Sequence, residues 1–178
     1  MTLRPRAWMP CAIVLVALVS MPAPAAAQAD TALARQVVAD INKGLPQLRL
    51  VTLVARRPDV EYESHVKAWA DDGGVRKLEV TDHDDSGDVV TEYFYAGGAL
   101  VFVYQAVKGF NDAGRMVTRG EERQYFRDGR MFKWLSGMDK AEVPPADAQF
   151  AEEGKTRLGA SAFLAKAAAS ALNRPRSK

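Results

Sequence analysis

Cysteine and histidine are scarce in this chain, which has one cysteine and two histidines among 178 residues. Cys11 lies in an N-terminal apolar stretch that we expect to be removed on export. The mature chain would then contain no thiol, which excludes disulfides, thiol catalysis and thiolate metal sites. A metal site shared by His65 and His83 would require two strands to bring these residues together.

Sequence motifs of the common catalytic sites are also missing. The chain has no G-x-S-x-G elbow, no H-E-x-x-H helix, no P-loop and no G-x-G-x-x-G turn. Glu92, Glu121 and Glu122 could supply the paired carboxylates of a small hydrolase. Carboxylates on strand faces, however, more often pair with neighbours such as Arg119 and Arg123. We therefore favour a non-catalytic protein and expect no cofactor.

The chain has little surplus charge of either sign. It contains 24 basic and 22 acidic residues, a formal net charge of +2. Arg4 and Arg6 supply that excess, so the chain without its N-terminal segment is formally neutral. Nucleic-acid binding rests on a basic surface and gains no support here. No later apolar stretch has membrane length, so we expect no permanent membrane span.

The N-terminus has the pattern of a secretory signal peptide. Two arginines come first, an apolar core follows at residues 11–19, and small residues fill 22–29. A-x-A sites predict cleavage after Ala27 or Ala29. The core of about ten residues is too short to cross ~30 Å of hydrocarbon. We therefore predict a cleavable signal peptide over residues 1–27 and an exported product, either periplasmic or secreted.

The rest of the sequence predicts a single α+β domain over residues 28–172, followed by a flexible basic tail at 173–178. Asp30 or Thr31 can cap an amphipathic helix. Segments with the period of strands come next, and an alanine-rich helix runs over about 147–172. This order predicts an N-terminal helix, a curved antiparallel meander of about seven strands, and a C-terminal helix packed on one sheet face.

Two segments that align without a gap, 32 residues apart, predict the turns of this meander. Residues 93–102, YFYAGGALVF, match residues 125–134, YFRDGRMFKW. Each copy predicts strand, tight turn and strand, with Gly97 or Gly129 supplying the positive φ that such turns require. A weaker third copy begins at Trp69.

These paired aromatic–glycine hairpins resemble those of small exported bacterial proteins of unknown function, over roughly residues 60–137. The motifs that carry the resemblance are structural, so it implies an architecture and no activity. The outline of helix and curved sheet is also similar to that of periplasmic lipoprotein carriers, although none of their motifs is present. That second similarity concerns the fold alone and transfers no function.

The aromatic residues fall almost entirely in the predicted strands. Residues 100–107 are apolar on both faces, which predicts a central strand covered on both sides. Cross-strand packing accounts for most of the aromatic rings, but tyrosine and tryptophan are also favoured at binding surfaces. We predict that a ligand or partner surface includes Tyr93, Tyr95, Tyr104, Tyr125 and Trp134.

The predicted function is therefore binding of an envelope protein, a lipid or a small apolar ligand. Two alternatives stay open. One is a small periplasmic hydrolase that uses carboxylates, and the other is a structural component of the envelope.

One segment has part of a calcium-loop pattern. Asp82, Asp84 and Ser86 occupy its first three ligand positions, and Gly87 lies at the turn. The twelfth position, which needs a bidentate glutamate, is Tyr93. Aspartates also favour turn geometry in a solvated hairpin loop. We therefore predict no metal binding by this loop at micromolar calcium.

Overall fold

The computed structural model describes residues 23–58, 60–84 and 87–174. Residues 1–22 of the predicted signal peptide and residues 175–178 of the predicted tail lie outside this part. The described chain forms a helix, a short 3-10 turn, eight strands and a second helix. In chain order they are α1 (Ala23–Gly44), the 3-10 turn (Leu45–Gln47), β1 (Arg49–Arg56), β2 (Glu63–Asp71), β3 (Gly74–Asp84), β4 (Gly87–Ala96), β5 (Ala99–Phe110), β6 (Met116–Arg127), β7 (Arg130–Ser136), β8 (Ala141–Glu142) and α2 (Ala148–Leu172).

All eight strands form one antiparallel sheet in which spatial order equals chain order. The predicted α+β fold, with a curved meander between two helices, is confirmed. The strand count is eight instead of about seven because Ala141–Glu142 adds a two-residue strand beside β7. Neither α1 nor α2 has an apolar stretch long enough to cross a membrane over the described residues.

The two helices cover opposite faces of the sheet. Ala34 and Ile41 of α1 pack on Phe94, Phe102 and Tyr125, and we call this side the α1 face. The other side, the α2 face, buries a set that includes Tyr93, Tyr95, Val103, Phe126 and Leu164. The apolar residues of β5 therefore lie between two helices, as their two-sided pattern predicts. The predicted packing of the C-terminal helix on one face is confirmed as well.

The N-terminal helix begins earlier than the sequence predicts. Because α1 starts at Ala23, neither Asp30 nor Thr31 caps it. The Thr31 hydroxyl donates instead to the carbonyl of Ala27, at 2.8 Å, and Asp30 forms an ion pair with Arg127 of β6. Both predicted cleavage points, Ala27 and Ala29, lie within the first two turns of α1.

The C-terminal helix agrees closely with its prediction. The Asp147 side chain caps it by accepting a hydrogen bond from the backbone N–H of Gln149, at 2.8 Å. The helix continues unbroken through Gly154. A Cβ added at that glycine would lie 3.1 Å from the Cβ of Met131, so the missing side chain allows α2 to approach β7 closely. Leu164, which is fully buried, anchors the middle of the helix.

The two duplicated hairpins superpose at an offset of 31 residues, so the offset of 32 is wrong. Their turns consist of residues 97–98 and 128–129, since Ala96 pairs with Ala99 and Arg127 with Arg130. The φ angles are +55° and +80° at Gly97 and Gly98, and +51° and +70° at Asp128 and Gly129. Gly98, and not Gly97, is therefore the counterpart of Gly129.

Each hairpin also carries one unpaired residue at the same distance from its turn. The register shifts between Phe94 and Tyr95, and again between Tyr125 and Phe126. The hairpin of β2 and β3 has the same shift after Trp69. With the offset of 31, Phe94 and Tyr125 occupy equivalent positions on one face. An offset of 32 exchanges the faces, because side chains alternate along a strand.

Candidate functional site

A continuous row of side chains crosses the α1 face of the sheet. Each member lies directly opposite the next in the strand register, from β1 to β7. The three hairpin bulges place an aromatic ring at the same point of each hairpin, and these rings belong to Trp69, Phe94 and Tyr125. The complete row is Leu50, Trp69, Lys77, Phe94, Phe102, Tyr125 and Lys133.

The aromatic rings at the centre of this row are in contact. The ring centroids of Phe94 and Phe102 are 5.9 Å apart, and those of Phe102 and Tyr125 are 4.9 Å apart. Phe132 continues the series, 6.2 Å from Tyr125. The rings are tilted relative to one another, which is a favourable arrangement for aromatic pairs. They form a rigid apolar surface beneath α1.

A groove of about 370 Å³ lies between this surface and α1. We call it the aromatic groove. Its floor is formed by the central rings of the row, and α1 supplies one wall. The opposite rim comes from the neighbouring row of residues and from the turn after β7. The lining residues are Arg35, Val38, Glu92, Phe94, Phe102, Tyr104, Arg123, Tyr125, Leu135 and Lys140.

A buried lysine closes one end of the groove. Lys77 is only 5% exposed, and its ammonium group lies 5.5 Å from the ring centre of Trp69 and 5.0 Å from that of Phe94. It donates to the Glu92 carboxylate at 2.5 Å and to the Asn42 side-chain oxygen of α1 at 3.3 Å. Two aromatic faces and two acceptors together compensate the buried charge. Glu92 is thereby held at the groove with its charge already neutralised.

The other end of the groove contains a second ion pair. Arg123 binds Glu121 at 2.7 Å, and its guanidinium group lies 5.3 Å from the ring centre of Tyr104. The bond to Arg123 lowers the pKa of Glu121. Burial, followed by the adjacent Glu121 carboxylate, raises the pKa of the Tyr104 hydroxyl. Tyr104 therefore stays protonated at neutral pH and offers a neutral hydroxyl at the rim.

The balance of charge around the groove is positive. Lys77 offsets Glu92, and Arg123 offsets Glu121. Arg35 of α1 and Lys140 of the turn after β7 also line the groove, and neither forms an ion pair within the described part of the chain. An apolar floor below two unmatched cations can accept a ligand that has an apolar body and an anionic end.

The five tyrosine and tryptophan residues predicted to bind a ligand separate into two groups. Tyr104 and Tyr125 line the aromatic groove. Tyr93, Tyr95 and Trp134 lie on the α2 face and are buried, with exposures of 0%, 4% and 8%.

The buried group makes contacts expected of core residues. The Tyr95 hydroxyl donates to the backbone carbonyl of Ser161, at 3.2 Å, and the Trp134 ring packs 6.4 Å from that of Phe150. Both partners belong to α2. These side chains hold the helix on the sheet and do not reach the groove.

A polar cluster lies beneath α2. Arg157 of the helix contacts Glu153 at 2.5 Å and Glu122 at 3.7 Å, and it donates to Gln105 at 3.0 Å. The Gln124 amide bridges the two carboxylates, at 2.9 and 3.1 Å. Burial raises the pKa of Glu122, although Arg157 opposes this effect. The cluster fixes the position of α2 through charge-assisted hydrogen bonds.

The glutamates considered for a hydrolase do not converge on one point. Glu121 and Glu122 are consecutive on β6 and face opposite sides of the sheet. Glu92 and Glu121 share the α1 face, but each carboxylate binds its own cation. No pair of free carboxylates therefore lies in the aromatic groove.

The candidate calcium loop is shorter than predicted. β3 extends to Asp84 and β4 begins at Gly87, while Ser86 lies outside the described residues. Asp82 does not face the loop, since it is buried on the α2 face within 3.7 Å of Arg57. No group of three or more histidine, aspartate or glutamate residues in the described chain is arranged to hold a metal ion.

Comparisons with protein-family models, with curated proteins and with solved structures found no match for this chain.

Sequence reasoning missed three of the charged residues that shape the groove. Lys77, Arg35 and Lys140 stand in polar surroundings in the sequence and show no local sign of a shared site. Only the row of facing residues across the sheet reveals that Lys77 is buried, and only the position of α1 brings Arg35 to the groove.

Proposed function

We propose that this protein is an exported, non-catalytic binding protein whose aromatic groove takes an amphipathic anion. The ligand has an apolar chain and a carboxylate or similar anionic head. The observation that carries the proposal is the combination of an aromatic floor with two unmatched cations, Arg35 and Lys140, in one groove.

The floor of the groove supports an apolar ligand body. Phe94, Phe102 and Tyr125 present ring surface, and Val38 and Leu135 add aliphatic contacts from both sides. A volume of about 370 Å³ falls within the usual range of ligand pockets. Because the α1 and sheet contacts already fix these rings, a ligand would meet a largely preformed surface, which lowers the cost of binding.

The unmatched cations support an anionic head group. Arg35 and Lys140 approach the groove from opposite walls, so a carboxylate between them would gain charge-assisted hydrogen bonds. Glu92 and Glu121 would repel the same group, but their own cations neutralise them. A cationic amphiphile would face Arg35 and Lys140 without any free carboxylate.

The sequence of the N-terminus supports export. A short apolar core and A-x-A sites precede Asp30, and we propose that the working protein begins at Gln28 or Asp30, in the periplasm or outside the cell. N-terminal sequencing of the protein from an expressing bacterium tests this part. Retention of Met1 on membrane-bound material would contradict it.

Binding of three amphiphiles that share a twelve-carbon chain tests the groove. We expect dodecanoate to bind more tightly than dodecanol, and dodecyltrimethylammonium to bind least, as measured by isothermal titration calorimetry below the micellar concentration. Shortening the chain from dodecanoate to octanoate should weaken binding by up to about 3 kcal/mol, since each buried methylene contributes about 0.8 kcal/mol.

Substitution of the two unmatched cations separates the head-group contacts from the apolar ones. Arg35→Gln with Lys140→Gln should weaken dodecanoate binding and leave dodecanol binding unchanged. Lys43→Gln, which removes an exposed cation from the end of the same helix, is the matched control and should have no effect. Equal affinities for dodecanoate and dodecanol, or an unchanged affinity in the double variant, would contradict the proposal.

A further inference from the structure

The two histidines of the chain meet on the outer side of β2 and β3. His65 lies opposite Thr81 in the register, and His83 is the next residue on that face of β3. Their ring centroids are 5.5 Å apart with an interplanar angle of 68°. Because the chain contains no other histidine, this contact brings all of its imidazole groups to one point.

An aspartate holds one of the rings. Asp88 of β4 lies directly opposite His83, and its carboxylate oxygen is 2.7 Å from Nδ1 of that ring. This bond places the proton on Nδ1 and leaves the lone pair of Nε2 for another partner. A carboxylate bonded to the far nitrogen of a histidine is the usual support for a metal-binding imidazole, because it fixes the tautomer and the ring orientation.

Both rings are open to solvent. The His83 side chain is 56% exposed, and His65 borders a shallow depression of about 310 Å³ with Thr52, Val54 and Thr81. Two imidazoles bound to one tetrahedral ion through bonds of ~2.0 Å have ring centroids about 5 Å apart. The observed 5.5 Å is close to that separation, so small rotations of the rings suffice to bind an ion.

We propose that His65 and His83 form a binding site for one divalent transition-metal ion, with Asp88 as the residue that positions His83. Two nitrogen ligands favour Cu²⁺ first and then Ni²⁺ or Zn²⁺, and they disfavour Ca²⁺ and Mg²⁺, which select oxygen. The described chain supplies no third ligand to this point, so water completes the coordination. The site is independent of the aromatic groove.

The test uses Cu²⁺ and the full chain carrying Cys11→Ala, so that no thiolate competes. Titration calorimetry should show one Cu²⁺ bound per chain, and electron paramagnetic resonance should show coupling to two imidazole nitrogens. His65→Gln and His83→Gln should each weaken binding at least tenfold and remove one nitrogen from the spectrum. Asp88→Asn should weaken binding by roughly 10- to 100-fold while both nitrogens remain in the spectrum.

Asp112→Asn, in another exposed turn, is the matched control and should leave Cu²⁺ affinity unchanged. Circular dichroism of every variant separates loss of binding from loss of fold. The site would be overturned if either glutamine variant bound Cu²⁺ as tightly as the parent, which would indicate an adventitious ion only. If Asp88→Asn bound equally well, the positioning role of Asp88 would be overturned. Dodecanoate binding should be the same in all of these variants, whatever their Cu²⁺ affinity.

Discussion

Substitutions in the two aromatic–glycine hairpins test the register that builds the groove. Gly98 and Gly129 are equivalent in the structure, and Gly97 corresponds to Asp128. The variant Gly97→Asp therefore converts the first turn into the Asp-Gly sequence of the second. If the hairpins were instead related by 32 residues, Gly97 would be the counterpart of Gly129 and would tolerate no side chain.

The expected magnitudes follow from the backbone alone. A Cβ added at Gly97, Gly98 or Gly129 would meet no atom within 4 Å, so crowding contributes nothing. A β-branched residue in the left-handed region costs roughly 1–2 kcal/mol, which we expect for Gly98→Val and for Gly129→Val. Aspartate tolerates this region, and it also restricts the unfolded chain more than glycine does. Gly97→Asp should therefore change the free energy of unfolding by less than about 0.5 kcal/mol.

Urea denaturation, followed by circular dichroism, measures these differences. Gly44→Val is the matched control, because that glycine has a φ of −84° and open space around it. In thermal melts, each kcal/mol should lower the midpoint by about 2–4 °C for a domain of this size. The register would be refuted if Gly97→Asp were as costly as Gly98→Val, or if Gly129→Val unfolded at the midpoint of the parent.

Two further substitutions test the buried charges on each face. Lys77→Met should lower the free energy of unfolding by about 2 kcal/mol, because it removes two hydrogen bonds and two cation–π contacts; adding Glu92→Gln should recover part of this loss in urea denaturation, and no recovery would contradict the pairing. Burial raises the pKa of Glu122 above its usual 4.5, so the folded state keeps a proton that the unfolded chain has lost, and stability falls as pH rises from about 4.5. Glu122→Gln should reduce that fall; a constant difference from the parent over about pH 4 to 7 would count against it.

The architecture was predictable because its signals are local. Residues 100–107 are apolar on both sides of the strand, and this pattern requires a cover on each face. The alanine-rich segment after Asp147 and the amphipathic segment before Gly44 are the only helical patterns available to provide the covers. The antiparallel order follows from short turns, since two-residue connections permit no crossover.

The site was less predictable because bulges leave no mark in the sequence. Val101 and Phe132 are the unpaired residues of their hairpins, and each reverses the inside–outside alternation of its strand. Counting by twos from the turn therefore assigns side chains beyond the bulge to the wrong face. This is why Tyr125 lies in the groove while Tyr93, its counterpart in the gapless alignment, lies beneath α2.

Lys77 illustrates a second limit of local patterns. In the sequence it stands beside Arg76, and a pair of cations in a strand usually indicates an exposed segment. The structure buries Lys77 because its neighbours come from other strands, with Trp69 on one side and Phe94 on the other. The partners that stabilise this charge are separated from it in sequence by 8 to 35 positions.

The strictly sequential order of the strands also has a consequence for how the chain folds. Every strand pairs with the one made just before it, so each step of sheet formation closes only a short loop and loses little chain entropy. The two faces then become protected at different times. α1 precedes all strands and can dock as soon as β4 to β6 exist, whereas α2 follows them all. Until α2 arrives, Tyr93, Val103 and Phe126 remain in water. The last folding step is therefore the closing of the α2 face, and an interrupted chain would aggregate through that surface.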